Sequence, residues 1–266
     1  MEKVRRIKNC FRLPSNYWRK KKEKRGQGFG SEYIPYFRVH EIPSKGRSSR
    51  VKSWTCNRIH HMVSDLETNF FYWLDWCKDV TDIREQFPLD YQVTVRIARE
   101  LNIVHPRNTR KGTLHIMTTD FVVNYGTREV AYSCKYKKDL EKKRTQQKME
   151  IEKKYWEEKG VEFIIITEDD IPNTLVNNVR QIHKLKDLTG MISVPSEATR
   201  NFLVDKYKML LRENWTPLEL GNEIDRTMEF EVGTGMLLLR HFMATGKLKI
   251  DMAKVFNVEQ PLEVLD

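Results

Sequence analysis

The chain has 266 residues, of which 39% are hydrophobic and 32% are charged, and its formal net charge is +10. This length and composition allow one large or two medium domains with a packed core, and they exclude a disordered chain. No apolar run approaches the 18 or so residues of a membrane-spanning helix, and no apolar signal region follows the basic N-terminus. We therefore expect a soluble, cytoplasmic protein that does not bind a membrane.

The positive charge is concentrated near the N-terminus. Residues 1–60 contain 17 lysines and arginines against 4 aspartates and glutamates, a net of +13, so the other residues carry the balance of −3. A basic segment with aromatic residues interspersed is typical of nucleic-acid binding. A solvated basic tail, or a patch for a ribosome or a membrane surface, is the alternative that charge alone leaves open.

The first 25 residues end in a basic run and are predicted to form a mobile arm when DNA is absent. A second polar and basic stretch, Ser44–Arg50, is suited to phosphate contacts as a loop. The candidate DNA-binding residues are Lys20, Lys21, Lys22, Lys24, Arg25, Arg47 and Arg50.

Helical and extended patterns alternate from residue 60 to residue 167, which predicts an α/β fold with a mixed sheet. Two strands meet in a hairpin around Gly126, and a helix ended by Gly160 leads to a short apolar strand. This strand–helix–strand order is typical of a right-handed crossover. In chain order we predict a helix at His60–Lys78, an extended segment at Val80–Phe87, a helix at Tyr91–Asn102, strands at Ile116–Tyr125 and Glu129–Tyr136, a helix at Asp139–Lys159 and a strand at Val161–Thr167.

The composition shifts around Glu168–Asn173, and the pattern beyond this point is mainly helical. Two helices, a turn and a strand favour a winged-helix module, although many small helical bundles show the same pattern. The predicted elements are a helix to about Leu188, helices at Asn201–Glu213, Pro217–Asp225 and Glu231–Thr245, and a short strand at Lys247–Asp251.

One carboxylate stands on the apolar face of a predicted helix. Within His60–Lys78, Glu67 falls between Val63 and Phe71 on the arc that holds most of the apolar side chains. In the predicted hairpin, Asp120 faces Ser133 and has Lys135 as its diagonal neighbour, within reach of a long lysine side chain. A glutamate, an aspartate and a lysine directed into one partly buried place can bind a divalent cation and activate water.

The chemistry requires these residue types. Mg²⁺, for which Mn²⁺ can substitute, prefers carboxylate and carbonyl oxygens, which Glu67, Asp120 and the backbone carbonyl of Cys134 can supply. A bound cation lowers the pKa of water and neutralises charge on a phosphodiester. Lys135 would orient or deprotonate that water, or stabilise the phosphate. We expect burial and the cation to lower the pKa of Lys135 towards a neutral amine.

Each of these residues also has a structural explanation. Glu67 could pair with Arg84, Asp120 could cap a loop, and Lys135 could be an exposed strand residue. A zinc site built from Cys56 and the neighbouring histidines is conceivable, but the spacing matches no common zinc pattern. The order of helix acid, strand acid and strand lysine favours the functional interpretation when the three are taken together.

Several motifs extend this pattern. They are Arg25–Gly30 with Tyr33–Pro35, Glu41–Ser44 with Gly46–Ser48, His60–His61 through Asp65–Glu67, Asp82–Leu89, Thr119–Phe121, Lys135 and Glu150–Trp156. The order of glutamate, aspartate and lysine resembles the PD-(D/E)xK nuclease pattern. Over about residues 20–170, the chain more specifically resembles the TnsA family, the endonuclease subunits of heteromeric cut-and-paste transposases.

The resemblance implies a fold and an activity. The fold would be a restriction-endonuclease-like N-terminal domain at residues 26–170, after the basic arm at 1–25, and a winged-helix-like C-terminal domain at 171–266. The activity would be Mg²⁺-dependent hydrolysis of the 5′ strand at transposon ends, in the bacterial cytoplasm. The implied partners are transposon-end DNA, an integrase-like (DDE) transposase and an AAA+ ATPase regulator.

Carried over by motif, Glu67, Asp120 and Lys135 would be catalytic, and Glu152 would be a further acid near the metal. The sequence departs from the family pattern at Ser133, where the family has glutamate or glutamine two residues before the lysine. The shorter serine could bind metal through a water molecule. This departure leaves open a weakened site in an adaptor subunit that bridges transposase, ATPase and DNA. A stand-alone restriction endonuclease is the remaining possibility.

Overall fold

The computed structural model describes residues 12–41, 47–108, 110–191 and 194–265. Contacts divide the described chain into two units. The first comprises the residues up to Thr68 together with Cys77–Asp170, and the second comprises Asn69–Trp76 together with the residues from Ile171 onwards. Among the described residues, no helix is both long and apolar enough to cross a membrane.

A four-stranded mixed sheet forms the centre of the first unit. The strands of this unit are β1 (Ser49–Lys52), β2 (Ile59–Met62), β3 (Asp82–Pro88), β4 (Arg107–Asn108), β5 (Thr113–Leu114), β6 (Thr118–Asn124), β7 (Glu129–Cys134) and β8 (Glu162–Ile166). The strand order in the central sheet is β3-β6-β7-β8, with the first three strands antiparallel and β8 parallel to β7. The predicted α/β class with a mixed sheet is confirmed for this part of the chain.

The first unit also contains α-helical segments. They are α1 (Tyr17–Lys22), the first turn of α2 (Asp65–Trp76), α3 (Tyr91–Glu100), α4 (Lys137–Leu140) and α5 (Lys143–Glu158). Two of them, α3 and α5, pack on this sheet. Buried side chains of α3 and α5, among them Ile97 and Ile151, form one hydrophobic core with Val122 and Ala131 of the sheet. Burial of such aliphatic side chains contributes roughly 1.5–3 kcal/mol each, so this core fixes the strands against α5.

Two helix boundaries differ from the predictions. The helix expected from His60 begins only at Asp65, because residues 59–62 pair as β2 with β1. The helix expected at 139–159 is divided into α4 and α5, because Lys142 has an extended ψ of 117°. The predicted stop at Gly160 is confirmed by its left-handed φ of 67°, which glycine adopts readily.

The prediction of a mobile N-terminal arm is wrong for residues 12–25, the part of the arm that the structure describes. Residues 1–11 lie outside the described residues, as does 42–46 in the predicted phosphate-contacting loop. In the described part, α1 is folded, and the side chains of Lys20 and Arg25 are buried. Lys20 donates to the carbonyl oxygen of Tyr36 at 2.8 Å, and both cations pair with Glu41.

The second unit is mainly helical, as predicted. It contains α6 (Asn173–Ile182), a 3₁₀ turn at His183–Lys186, α7 (Glu197–Arg212), α8 (Pro217–Thr227) and α9 (Thr234–Ala244). The described residues of the expected strand at 247–251 form only a single bridge, between Ile250 and Val264. The helical content is therefore confirmed, while the winged-helix assignment is not confirmed.

Candidate active site

Asp120 is the third residue of β6, the first strand of the β6–β7 hairpin. Continuing the register of Phe121 with Tyr132 places Ser133 opposite Asp120, as the sequence predicts. Oδ2 of Asp120 accepts hydrogen bonds from the backbone amide of Cys134 at 2.8 Å and from the hydroxyl of Ser133 at 3.3 Å. The carboxylate therefore does not cap a loop but binds across the hairpin.

Lys135 follows directly after β7 and is held by the neighbouring strand, because its amide donates to the carbonyl oxygen of Ile166 at 2.9 Å. Its Nζ donates to Asp120 Oδ2 at 2.6 Å and to the carbonyl oxygen of Cys134 at 2.9 Å. The ammonium thus lies between two oxygens that the sequence assigns to a metal ion. A cation is the natural occupant of this position, and here the side chain of Lys135 supplies the charge.

The protonation of Lys135 depends on opposing effects. Burial by itself would lower the pKa of its ammonium, but the negative charges of Asp120 and Glu152 raise that pKa above its usual value. The neutral amine expected from the sequence depends on a bound cation as well as on burial, and it stays a prediction. Lys135 stands as a positive charge with its side chain 29% exposed.

Glu67 lies in the first turn of α2 and is 5% exposed. Its carboxylate accepts hydrogen bonds from the amide of Val63 and the hydroxyl of Ser64, both at 3.0 Å. The Ser64 hydroxyl in turn accepts from the Glu67 amide at 3.1 Å. This reciprocal bonding resembles a capping box, so Glu67 also stabilises the start of its helix.

The charge state of Glu67 connects it to the hairpin. Burial, and after it the charge of Asp120, together raise the pKa of its carboxyl to about 8. Arg84, the alternative partner considered from the sequence, pairs instead with Asp82 at 3.1 Å and with Glu129. Glu67 is therefore a buried acid that faces another acid, which is the electrostatic situation a bound cation would relieve.

Glu152 of α5 is a second buried acid at this place, 5% exposed. It accepts a hydrogen bond from Thr119 Oγ1 at 2.8 Å, and that hydroxyl accepts from Nε1 of Trp156 at 2.8 Å. Burial raises the pKa of Glu152 to about 8, an effect that the charge of Lys135 opposes and that of Asp120 reinforces.

Ser133, at the position where the sequence departs from the family pattern, connects two of the acids. Its side chain is 1% exposed. The hydroxyl bonds to Asp120, and a hydrogen bond from Ser133 also lowers the pKa of Glu152. A serine donor here orients carboxylates, whereas a longer acidic or amide side chain would add a ligand of its own.

The donor set suits a hard cation. Three carboxylates and the Cys134 carbonyl are oxygen ligands of the type that Mg²⁺ and Mn²⁺ prefer, and two of the carboxyls have their pKa values raised by burial. Among the described residues, no three histidine, cysteine, aspartate or glutamate side chains stand close enough to form a ready-made metal cage. The residues suit such an ion by their chemistry and charge but not yet by their spacing, and the Lys135 ammonium lies between Asp120 Oδ2 and the Cys134 carbonyl oxygen.

Sequence reasoning missed one residue in contact with the site. Gln86 of β3 is 3% exposed, and its Nε2 lies 3.4 Å from Glu67 Oε2. Its position inside the motif Asp82–Leu89 is visible in the sequence, but nothing there shows that its side chain reaches the helix acid.

The candidate DNA-binding residues divide by exposure. Lys21, Lys22 and Lys24 are exposed, as are Arg47 and Arg50. Arg47 also pairs with Asp65 at 3.0 Å. Lys20 and Arg25 are removed from the candidate set, because their buried side chains are already paired with Glu41 and cannot reach a phosphate.

The mixed sheet and the acids and lysine at its central hairpin define the class as an α/β endonuclease-like domain. The family described as TnsA-like endonuclease N terminal matches residues 77–168, and the one described as TnsA endonuclease C terminal matches residues 170–252. The first match includes Asp120, Lys135 and Glu152 and begins after Glu67.

A curated relative gives the same result over most of the chain. The transposon Tn7 transposition protein TnsA of Escherichia coli is 34% identical over 245 residues, which cover 91% of this chain and 88% of that protein. The chain belongs to the TnsA family of endonucleases.

Proposed function

We propose that the chain is the metal-dependent DNA endonuclease subunit of a heteromeric cut-and-paste transposase and that it hydrolyses the 5′ strand at transposon ends. The observation that carries the proposal is the position of the Lys135 ammonium between Asp120 Oδ2 and the Cys134 carbonyl, with two buried acids alongside. Membership of an endonuclease family supports the same reaction class.

The residues have separate roles in this proposal. Asp120 and the Cys134 carbonyl would hold Mg²⁺ or Mn²⁺ together with Glu67, and Glu152 would complete the negative charge around the ion. When bound, the metal supplies an acidified water and neutralises charge on the phosphodiester. Ser133 would orient the carboxylate of Asp120 by the one hydrogen bond that its hydroxyl donates.

We assign Lys135 the role of a charged group. The acids around it raise its pKa, and its ammonium would attract the negative charge that develops on the scissile phosphate. Hydrolysis forms a bond from the water oxygen to phosphorus, breaks the bond from phosphorus to the leaving oxygen and transfers one proton, in net terms, from the water to that leaving oxygen. The ammonium can stabilise that leaving oxygen or pass a proton to it.

The partners in the proposal are transposon-end DNA, an integrase-like (DDE) transposase that would process the other strand, and an AAA+ ATPase regulator. The relative that covers most of the chain is a transposition protein of Tn7, which supports work within such an assembly.

The test is strand-resolved cleavage of a transposon-end duplex with Mg²⁺ or Mn²⁺, with the partner transposase added or omitted. We expect cleavage of the 5′ strand only, and only with a divalent metal. Cleavage that proceeds unchanged in a chelator, or cleavage confined to the 3′ strand, would contradict the proposal.

A catalytically weakened adaptor is the second candidate, and Ser133 is the observation that favours it, because serine supplies no carboxylate. Calorimetric titration of Mg²⁺ with and without DNA separates the two. Binding at millimolar Mg²⁺ favours the nuclease, and an absence of binding in both titrations favours the adaptor.

A further inference from the structure

Gln86 has an unusual backbone conformation in the middle of β3. Its φ is 49°, in the left-handed region that residues with a side chain rarely adopt. The pairs on either side, Glu85 with Phe121 and Phe87 with Thr119, share one register. That register places Gln86 opposite Asp120, and the ladder is interrupted at this pair without an inserted residue, so a register-shifting bulge is not the cause.

The backbone carbonyl groups of Glu85 and Gln86 accept hydrogen bonds from residues outside the sheet. The carbonyl oxygen of Gln86 accepts from the amide of Tyr36 at 3.3 Å, and that of Glu85 accepts from the hydroxyl of Tyr33 at 3.0 Å. Both tyrosines are buried. The segment at 33–36 therefore holds Gln86 in its left-handed conformation.

The side chain of Gln86 links the helix to the strand. Its Nε2 lies 3.4 Å from Glu67 Oε2, and its Oε1 accepts from the hydroxyl of Thr118 at 3.4 Å. Thr118 and Asp120 lie on the same face of β6, because alternate strand residues share a face. The amide thus joins the helix acid to the strand that carries the hairpin acid.

A glycine could adopt this φ without steric cost, so a buried glutamine here suggests that its side chain has a use that offsets the strain. We propose that Gln86 is a positioning residue that holds the Glu67 carboxylate towards Asp120 for cation binding. This inference rests on the proposed metal-dependent function.

The test compares two glycine substitutions in the full chain. Gln86→Gly removes the side-chain amide, and glycine adopts the left-handed backbone conformation of this position readily. Asn102→Gly is the matched control, because Asn102 has a φ of 55° just after α3. Thermal unfolding is recorded with and without Mn²⁺, metal affinity is measured by calorimetry, and strand cleavage is measured in parallel.

We expect Gln86→Gly to unfold at or above the wild-type temperature when metal is omitted, while its metal dissociation constant rises by about tenfold or more. Cleavage should fall with metal affinity, and Asn102→Gly should bind metal as the wild type does. A variant that is as stable as the wild type but binds metal more weakly has lost a positioning residue. A residue with only a structural role would lose stability as well.

Two results would overturn the positioning role alone. One is a Gln86→Gly protein with wild-type metal affinity, and the other is one whose unfolding temperature falls together with its metal affinity. A wild-type protein that binds no divalent metal would overturn the proposed function as well, so the two failures are distinguishable.

Discussion

The Nζ atom of Lys135 lies 2.6 Å from Oδ2 of Asp120, so the lysine occupies a position that a metal ion would share. Two like charges cannot use the same carboxylate oxygen without repulsion. The lysine must therefore move or share its ligands when a divalent ion binds, and this relationship leads to the first two predictions.

Replacing the Lys135 ammonium by a neutral group should affect DNA cleavage without weakening metal binding. Lys135→Met keeps the aliphatic stem but removes the charge, so we expect metal affinity to stay the same or increase. Cleavage should fall by about 10²–10³-fold, the usual loss when one electrostatic stabiliser is removed. Single-turnover cleavage and calorimetric titration measure the two effects.

The control for this variant is Lys138→Met, at an exposed position three residues along the chain. It should retain wild-type cleavage and metal affinity. A Lys135→Met protein that cleaves normally would remove the lysine from the reaction.

Asp120→Ala should abolish cleavage while DNA binding survives, because the carboxylate is assigned to the metal and not to DNA. It also removes the side-chain acceptor of the Cys134 amide and one of the two acceptors of the Lys135 ammonium. We expect the free energy of unfolding to fall by about 1–3 kcal/mol. Denaturant unfolding and gel-shift binding measure the two effects, and retained cleavage would exclude this site.

The buried acids should make metal binding depend on pH. Burial raises the pKa values of Glu67 and Glu152 to about 8, so below that pH a metal ion must displace protons from them. We expect the apparent metal affinity to rise from pH 6 to pH 8 and to level off above it. Calorimetry in buffers of different ionisation enthalpy would measure the released protons.

The same shifts determine how stability changes with pH when metal is omitted. An ordinary glutamate has a pKa of about 4.3, so between about pH 4.3 and pH 8 the folded state binds more protons than the unfolded state. The free energy of unfolding should therefore decrease as pH rises through this range. Glu67→Gln should weaken the dependence, and an unchanged curve in that variant would contradict the assignment.

The basic residues near α1 should have unequal effects on DNA binding. Lys21, Lys22 and Lys24 are exposed, so replacing all three by alanine should reduce the slope of log affinity against log salt by up to about 2.7, or 0.9 for each phosphate contact. Lys20→Met should leave that slope unchanged and lower the unfolding temperature, because Lys20 is buried against Tyr36. Equal slopes in the triple variant and the wild type would exclude this surface as a DNA contact.

Local patterns in the sequence were sufficient for much of the fold. The turn at Gly126 and the alternation along Ile116–Tyr136 placed Asp120 opposite Ser133 and next to Lys135, because a hairpin with a known turn has only one register that buries its apolar face. The stop at Gly160 and the apolar run after it located α5 and β8. The family resemblance was likewise carried by short motifs.

Other features depended on contacts between distant segments. The burial of Lys20 and Arg25 depends on Glu41, and the break between β2 and α2 depends on pairing with β1, neither of which a basic run or a helical period reveals.

The sequence by itself determined the α/β order of the first unit and the hairpin that brings Asp120 next to Lys135, because these follow from side-chain periodicity and turn chemistry. Only the tertiary structure decided that the Lys135 ammonium lies between Asp120 Oδ2 and the Cys134 carbonyl oxygen. It also decided that Gln86, opposite Asp120, has a left-handed backbone conformation. Charge state and backbone conformation at a site are set by the field and hydrogen bonds of neighbours remote in the chain, and these exist only after the segments have packed.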